Sequence, residues 1–179
     1  MKRTLLAIVA SAPIYLLAQQ NEIKNGDFEK WNSNQLMPSG WTNLFSGEES
    51  VVQKSLDAQS GKNSLRITFT PENRGQNKKF RTSDIQLVAG VYTLTCYFKG
   101  KGEVRFISLT KKGETASSKE SVHNIVGTPS IGKVDTAEWT AYKLKFEITQ
   151  KDLYQLTFAI NSGSVKVPFL LDNVSIIKD

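Results

Sequence analysis

Asp172 and Asn173 stand inside an otherwise apolar run, residues 167–177, that ends two residues before the last of the 179 positions. A carboxylate in such a strand needs hydrogen-bond donors or a cation around it, because burial without them forces the group to take up a proton. The partner is expected near the other end of the chain, in Asn25-Gly26-Asp27-Phe28-Glu29. An alternative stays open, in which Asp172 and Asn173 hydrogen-bond backbone amides at a bulge and Glu29 is solvated.

The remaining reactive side chains do not assemble a catalytic pattern. His123 is the sole histidine, and no nucleophile motif adjoins it. Cys96 is the sole cysteine, so an intramolecular disulfide is impossible. It alternates with Tyr92, Leu94 and Phe98, which reads as a small buried hydrophobe rather than a nucleophile. Glu48-Glu49 beside a turn reads as a solvated edge rather than an acid pair for glycoside cleavage. The chain carries no glycine loop for phosphate and no metal-ligand histidine spacing. On this basis it is not expected to be an enzyme.

The elements that position these residues read as strands. Beyond residue 18 no window shows a helical stripe, and what recurs is alternation of period two, broken by Gly, Asn, Asp and Pro clusters. Short strands are expected at 22–24 and 28–31, then at 41–45 and 50–54 about a Ser-Gly-Glu turn. Residues 64–69 place Leu65, Ile67 and Phe69 inward, and 79–87 form another strand. The clearest strand, 91–99, puts Tyr92, Leu94, Cys96 and Phe98 on one face and Thr93, Thr95 and Tyr97 on the other. Lys99-Gly100-Lys101-Gly102 reads as a tight hairpin into 103–110. After a possible strand at 120–126, residues 139–148 alternate with Tyr142, Leu144, Phe146 and Ile148 inward. In the next strand Tyr154, Leu156, Phe158 and Ile160 oppose Gln155, Thr157, Ala159 and Asn161. About ten antiparallel strands without interleaved helices predict an all-β sandwich, in one domain over residues 19–179.

Residues 1–18 read as a signal peptide: Lys2 and Arg3 precede an apolar run over 5–17, and Ala18 fits the position before a cut. The run is interrupted by Pro13 and falls short of the ~20 apolar residues of a spanning helix. No cysteine follows it for a lipid anchor. The mature protein is therefore expected to be secreted, periplasmic or at the cell surface, with no membrane span after cleavage. The net charge of +6 falls to +4 without Lys2 and Arg3, and the basic residues are dispersed, with Lys78, Lys79 and Arg81 the one tight group. Nucleic acid is not an expected partner.

The landmarks fall in a familiar order. Asn25-Gly26-Asp27-Phe28-Glu29, Pro38-Ser39-Gly40-Trp41, Gly61-Lys62-Asn63-Ser64-Leu65, Ala89-Gly90-Val91-Tyr92-Thr93-Leu94 with Lys99-Gly100, Glu138-Trp139-Thr140 and Leu171-Asp172-Asn173-Val174-Ser175 run through nearly all of residues 21–179. Together they resemble carbohydrate-binding-module-like jelly rolls of the galactose-binding-like superfamily, in particular the xylan- and glucan-binding modules of the CenC type. The resemblance implies a β-sandwich jelly roll. It also implies a structural calcium ion held by Glu29 and Asp172 with main-chain carbonyls, a ligand set that suits an ion taking six to eight oxygens. For sugar it implies an aromatic ring on the concave sheet with planar polar neighbours. Tyr97, with Arg105, Gln155 and Asn161 on a shared face, is the expected set. Trp41 and Trp139 are expected in the core, and Trp31 as a wedge beneath the first loop. The expected partner is a carbohydrate or, since the same jelly roll also serves structural and protein-binding roles, a protein of the cell envelope.

Overall fold

The computed structural model describes residues 20–33, 37–44, 52–69, 78–113, 123–124, 132–161 and 167–179. The expected signal peptide over 1–18, Glu48-Glu49 and most of the strand expected at 120–126 lie outside the described residues. Ten strands and no helix are found among them: β1 (Trp41–Asn43), β2 (Val52–Ser55), β3 (Ser64–Ile67), β4 (Lys78–Thr82), β5 (Ile85–Leu87), β6 (Gly90–Lys111), β7 (His123–Asn124), β8 (Gly132–Ile148), β9 (Asp152–Asn161) and β10 (Phe169–Lys178). They hydrogen-bond in the order β1-β4-β9-β6-β10-β3-β2, with β5 against β9 and both β7 and β8 against β6. Every pairing is antiparallel. No helix among these residues is long and apolar enough to cross a membrane.

β6 makes this one sheet into a jelly-roll sandwich. Its first half pairs with β10 and β8, and its second half pairs with β9. One layer is therefore β8, the first half of β6, β10, β3 and β2; the other is the second half of β6, β9, β4 and β1. Inward residues of both layers meet in the middle: Phe98 of β6 and Phe158 of β9 have ring centroids 6.4 Å apart, edge to face. Phe158 in turn stacks on Phe80 at 5.3 Å, and Trp41 touches Phe28, Phe80 and Phe158. Each such ring, fully buried, stabilises the fold by roughly 1.5–3 kcal/mol. The period-two alternation read from the sequence survives in β6, where Tyr92, Leu94, Cys96 and Phe98 are buried and Thr93, Thr95 and Tyr97 are not. Burial in this apolar layer pushes the Cys96 thiol far up, which leaves it inert.

Several local expectations are corrected. Lys99-Gly100-Lys101-Gly102 is not a hairpin: β6 runs through it unbroken for 22 residues. Those glycines are needed because β10 passes against them; a Cβ on Gly100, whose φ is +97°, would lie 2.0 Å from the Pro168 carbonyl oxygen, and one on Gly102 2.6 Å from the Phe169 ring. The segments 22–24 and 28–31 are not strands either. Asn25 and Phe28 take left-handed φ values of 53° and 51°, which winds the segment into turns. β1 and β2 do not pair with each other and lie at opposite ends of the strand order. The expected strand 79–87 is two, β4 and β5, both on β9. Trp41 is buried as expected, and the Trp31 indole N–H donates to the Phe28 carbonyl at 2.6 Å beneath the turn. Trp139 is only half-buried and outside the core, because β8 has β6 alone as a neighbour among the described strands.

The wound N-terminal segment is tied to β10. The Glu22 N–H donates to the Ile176 carbonyl at 2.9 Å, the Val174 N–H to the Gly26 carbonyl at 2.8 Å, and the Asn21 carboxamide both accepts from the Ile176 N–H and donates to the Val174 carbonyl. Gly26 sits so close that a Cβ would meet the Val174 oxygen at 1.9 Å. Gly26→Ala is therefore predicted to lower unfolding free energy in urea by about 1–3 kcal/mol, the usual range for overpacking. An unchanged midpoint would show that the N-terminal segment is not seated on β10 as described.

Candidate functional site

Asp172 and Glu29 grip one loop from two sides. Asp172 is fully buried; its Oδ2 accepts the Gln59 and Ser60 backbone N–H groups at 2.7 and 3.3 Å, and its Oδ1 accepts the Asn173 N–H at 2.7 Å. Asn173 adopts φ 46° at the register shift between Asp172 and Ser175, and its amide group donates to the Gln59 side-chain oxygen and to Ser60 Oγ. Glu29 Oε1 accepts the Lys62 and Asn63 N–H groups at 2.7 and 2.9 Å, and Oε2 accepts the Asn63 side-chain amide at 2.9 Å. Gly61 lies between, where a Cβ would come within 2.4 Å of Glu29 Oε1. The two ends of the chain thus meet through residues 59–63 rather than carboxylate to carboxylate, and the amide-bonded bulge described above as the alternative is what forms around Asp172. Glu29 is engaged too.

This donor set bears on calcium. All four carboxylate oxygens face N–H hydrogens, and an N–H hydrogen repels a cation where calcium requires oxygen lone pairs. Among the described residues no three His, Cys, Asp or Glu side chains are grouped to hold an ion. As placed, amide N–H groups satisfy both Asp172 and Glu29. Melting in excess calcium and in excess chelator is predicted to give the same Tm; a stabilisation approaching the ~2.7 kcal/mol of a ligand at a hundred times its Kd would contradict the amide clasp.

The clasp also has an electrostatic signature. The Lys62 N–H, with help from Asn63 and Lys54, holds the Glu29 carboxyl below its usual range. At Asp172 burial wins over three N–H donors, and with Glu29's like charge it pushes the carboxyl up to about 6. The two act on stability with opposite sign. Glu29 contributes stability that is present above an unfolded value of 4.5 and lost as pH falls. Asp172 keeps a proton in the folded state after the unfolded chain, titrating at 3.8, has released its own, so stability falls as pH rises towards 6. Between about pH 4 and pH 7 the wild type is predicted to lose about 2–3 kcal/mol relative to Asp172→Asn, measured by urea unfolding. A relative gain over that interval would mean that the N–H donors outweigh burial.

Next to the clasp, on the outward face of the first layer, lies an open polar cleft of ≈ 530 Å³. Register builds its floor. Lys143 of β8, Thr95 of β6 and Ser175 of β10 stand in one row, and Ala141, Tyr97 and Asp172 in the next. The wound N-terminal segment, with Asn21, Asn25 and Asp27, and the clasped loop, with Gln59, form its walls. Asn21 and Asn25 are spent on backbone groups. The side chains of Asp27, Thr95, Tyr97, Lys143 and Ser175 keep their polar groups free among the described residues. The small Ala141 opposite Tyr97 leaves one flank of the ring uncrowded.

Of the four residues expected to share a face, only Tyr97 reaches this cleft. Gln155 and Asn161 point outward from the other layer, on the far side of the sandwich. The Gln155 side-chain amide donates to Asp84 at 2.9 Å, and Asn161, opposite Glu103 in the register, is 7 % exposed. Arg105 occupies the register shift between Val104 and Phe106 and pairs with Glu103 at 3.1 Å. The shared-face expectation fails because β6 crosses from one layer to the other between Tyr97 and Arg105. Asp27, Lys143 and Thr95 went unrecognised; for Thr95 the alternation with Tyr97 already carried the signal.

No family model matches the chain, and no curated protein matches it. Solved structures do. The CBM22-1 xylan-binding domain of Xyn10C from Paenibacillus barcinonensis aligns at 15 % identity over 85 % of this chain and 90 % of its own, with a TM-score of 0.52. A family 16 carbohydrate-binding module aligns at 14 % identity over 88 % of this chain and 100 % of its own, at 0.50. The K3 cleaved adhesin domain of Lys-gingipain from Porphyromonas gingivalis aligns at 15 % identity over 86 % and 96 %, at 0.55. In fold, this chain is a carbohydrate-binding-module-like jelly roll.

Proposed function

We propose that the protein is a secreted, non-catalytic module that binds glycan in the cleft floored by Tyr97. The observation that carries this reading is a ring on a rigid strand with uncommitted hydroxyl, carboxylate and ammonium groups around it. Sugars present apolar C–H faces and a rim of hydroxyls, so a ring plus short polar side chains on fixed backbone is the complement they need. The folds of xylan-binding and other carbohydrate-binding modules support the reading at the level of architecture. Export rests on the composition of residues 1–18. The two gripping carboxylates act in folding, and catalysis has no part in the proposal.

A structural or protein-interaction role in the cell envelope has one observation in its favour. β8 is 17 residues long with one free edge among the described strands, and Tyr142, Leu144 and Phe146 on its inward face are only partly covered. Its lysines, Lys133, Lys143 and Lys145, are what guarded edge strands carry, which weighs against pairing there.

Glycan-array binding with a Tyr97→Ala control separates the two. The wild type is predicted to retain a subset of glycans that the variant binds about 30-fold more weakly, the loss that ~2 kcal/mol at a central aromatic produces. No glycan bound, or no loss on substitution, would remove the sugar reading at this cleft.

A further inference from the structure

Resting on the glycan reading of the cleft, we infer that its ligand is an acidic glycan, in which a uronic acid residue lies on Tyr97 with its carboxylate against Lys143. Lys143 lines the cleft and stands opposite Thr95, two residues along β6 from Tyr97 on the same face. Such diagonal cross-strand neighbours lie roughly 7–8 Å apart, and the exocyclic carboxylate of a pyranose stacked on the ring reaches that far. The choice of Lys143 follows from how the neighbouring cations are used. Lys145, the next outward residue of β8, is held by Asp179 at 2.9 Å, and Lys99, the next outward residue of β6 beyond Tyr97, is held by Asp57 at 2.9 Å. Lys143 has no anionic partner among the described residues.

Asp27, the other free charge of the lining, lies on a wall, carried by the N-terminal turn rather than by the sheet floor that carries Lys143. A carboxylate there accepts hydroxyl hydrogens and repels a second carboxylate. It therefore sets the direction of the sugar, with the hydroxyl rim towards Asp27 and the acidic edge towards Lys143. A cationic amino sugar would have to lie the other way round, with its ammonium at Asp27; Lys143, fixed on the sheet one row from the Tyr97 ring, favours the acidic orientation. Charge-assisted hydrogen bonds of this kind are the stronger class and carry specificity.

The test uses the full exported chain and three matched probes: galacturonate oligomers, the same oligomers methyl-esterified, and glucosamine oligomers. The acid form is predicted to bind about fivefold to tenfold more tightly than the ester. Lys143→Met should erase that difference while Lys133→Met keeps it. The preference should also shrink as the Debye length falls from about 30 Å at 0.01 M salt to about 3 Å at 1 M. Equal binding of acid and ester, with Tyr97→Ala still weakening both, overturns the acidic ligand and leaves the glycan reading standing. Preferred binding of glucosamine oligomers, lost in Asp27→Asn, overturns it as well. Binding of none of the three, together with an empty glycan array, removes both readings.

Discussion

The structure depends on a carboxylate with nowhere to go. Asp172 is sealed inside β10, and the N–H groups that answer it come from Gln59, Ser60 and Asn173. Removing a buried partner of this kind leaves the remaining groups unsatisfied, at a cost on the order of 1–3 kcal/mol for each stranded group. Glu29 repeats the arrangement on Lys62 and Asn63, so a five-residue loop is fixed at both ends by acids from opposite ends of the chain. A domain whose sole cysteine is buried has no disulfide available for that task. Amide-saturated carboxylates tie the termini together instead.

Fixing that loop also shapes the cleft. Gln59 belongs to both, and so does Asn173, whose left-handed backbone turns β10 out of register beneath Tyr97. A recognition surface gains affinity when its groups are already in place before the ligand arrives. Here the floor is sheet, one wall is gripped by Asp172, and the other is seated on β10 through Gly26.

Much of the fold was legible, and much less of the site. Alternation in 91–99 and 154–160 identified the inward faces correctly, because burial on one side imposes a period of two whatever the pairing partner. Pairing itself is not written locally. Glycines at 100 and 102 looked like a turn, and they serve instead to let β10 approach a continuous strand. Tyr97 and Arg105 do not share a face, because the strand between them passes from one layer to the other. Asp172 was recognisable as a carboxylate in need of a partner. That its partners are amides of the 59–63 loop was not, since backbone N–H groups have no letter in a sequence. Jelly rolls of this kind are shared by a xylan-binding domain and an adhesin domain, so the ligand must be read from side chains in the cleft and not from the architecture.

Which outward face receives a ligand is therefore the central question, and backbone and side-chain resonances report it directly. On titrating the labelled protein with galacturonate oligomers, the shifts are predicted to concentrate at Thr95, Tyr97, Lys143 and Gln59, with Lys79, Phe106 and Gln155 on the other layer unmoved. Shifts centred on Lys79, Phe106 and Gln155, with Tyr97 and Lys143 silent, would contradict the account.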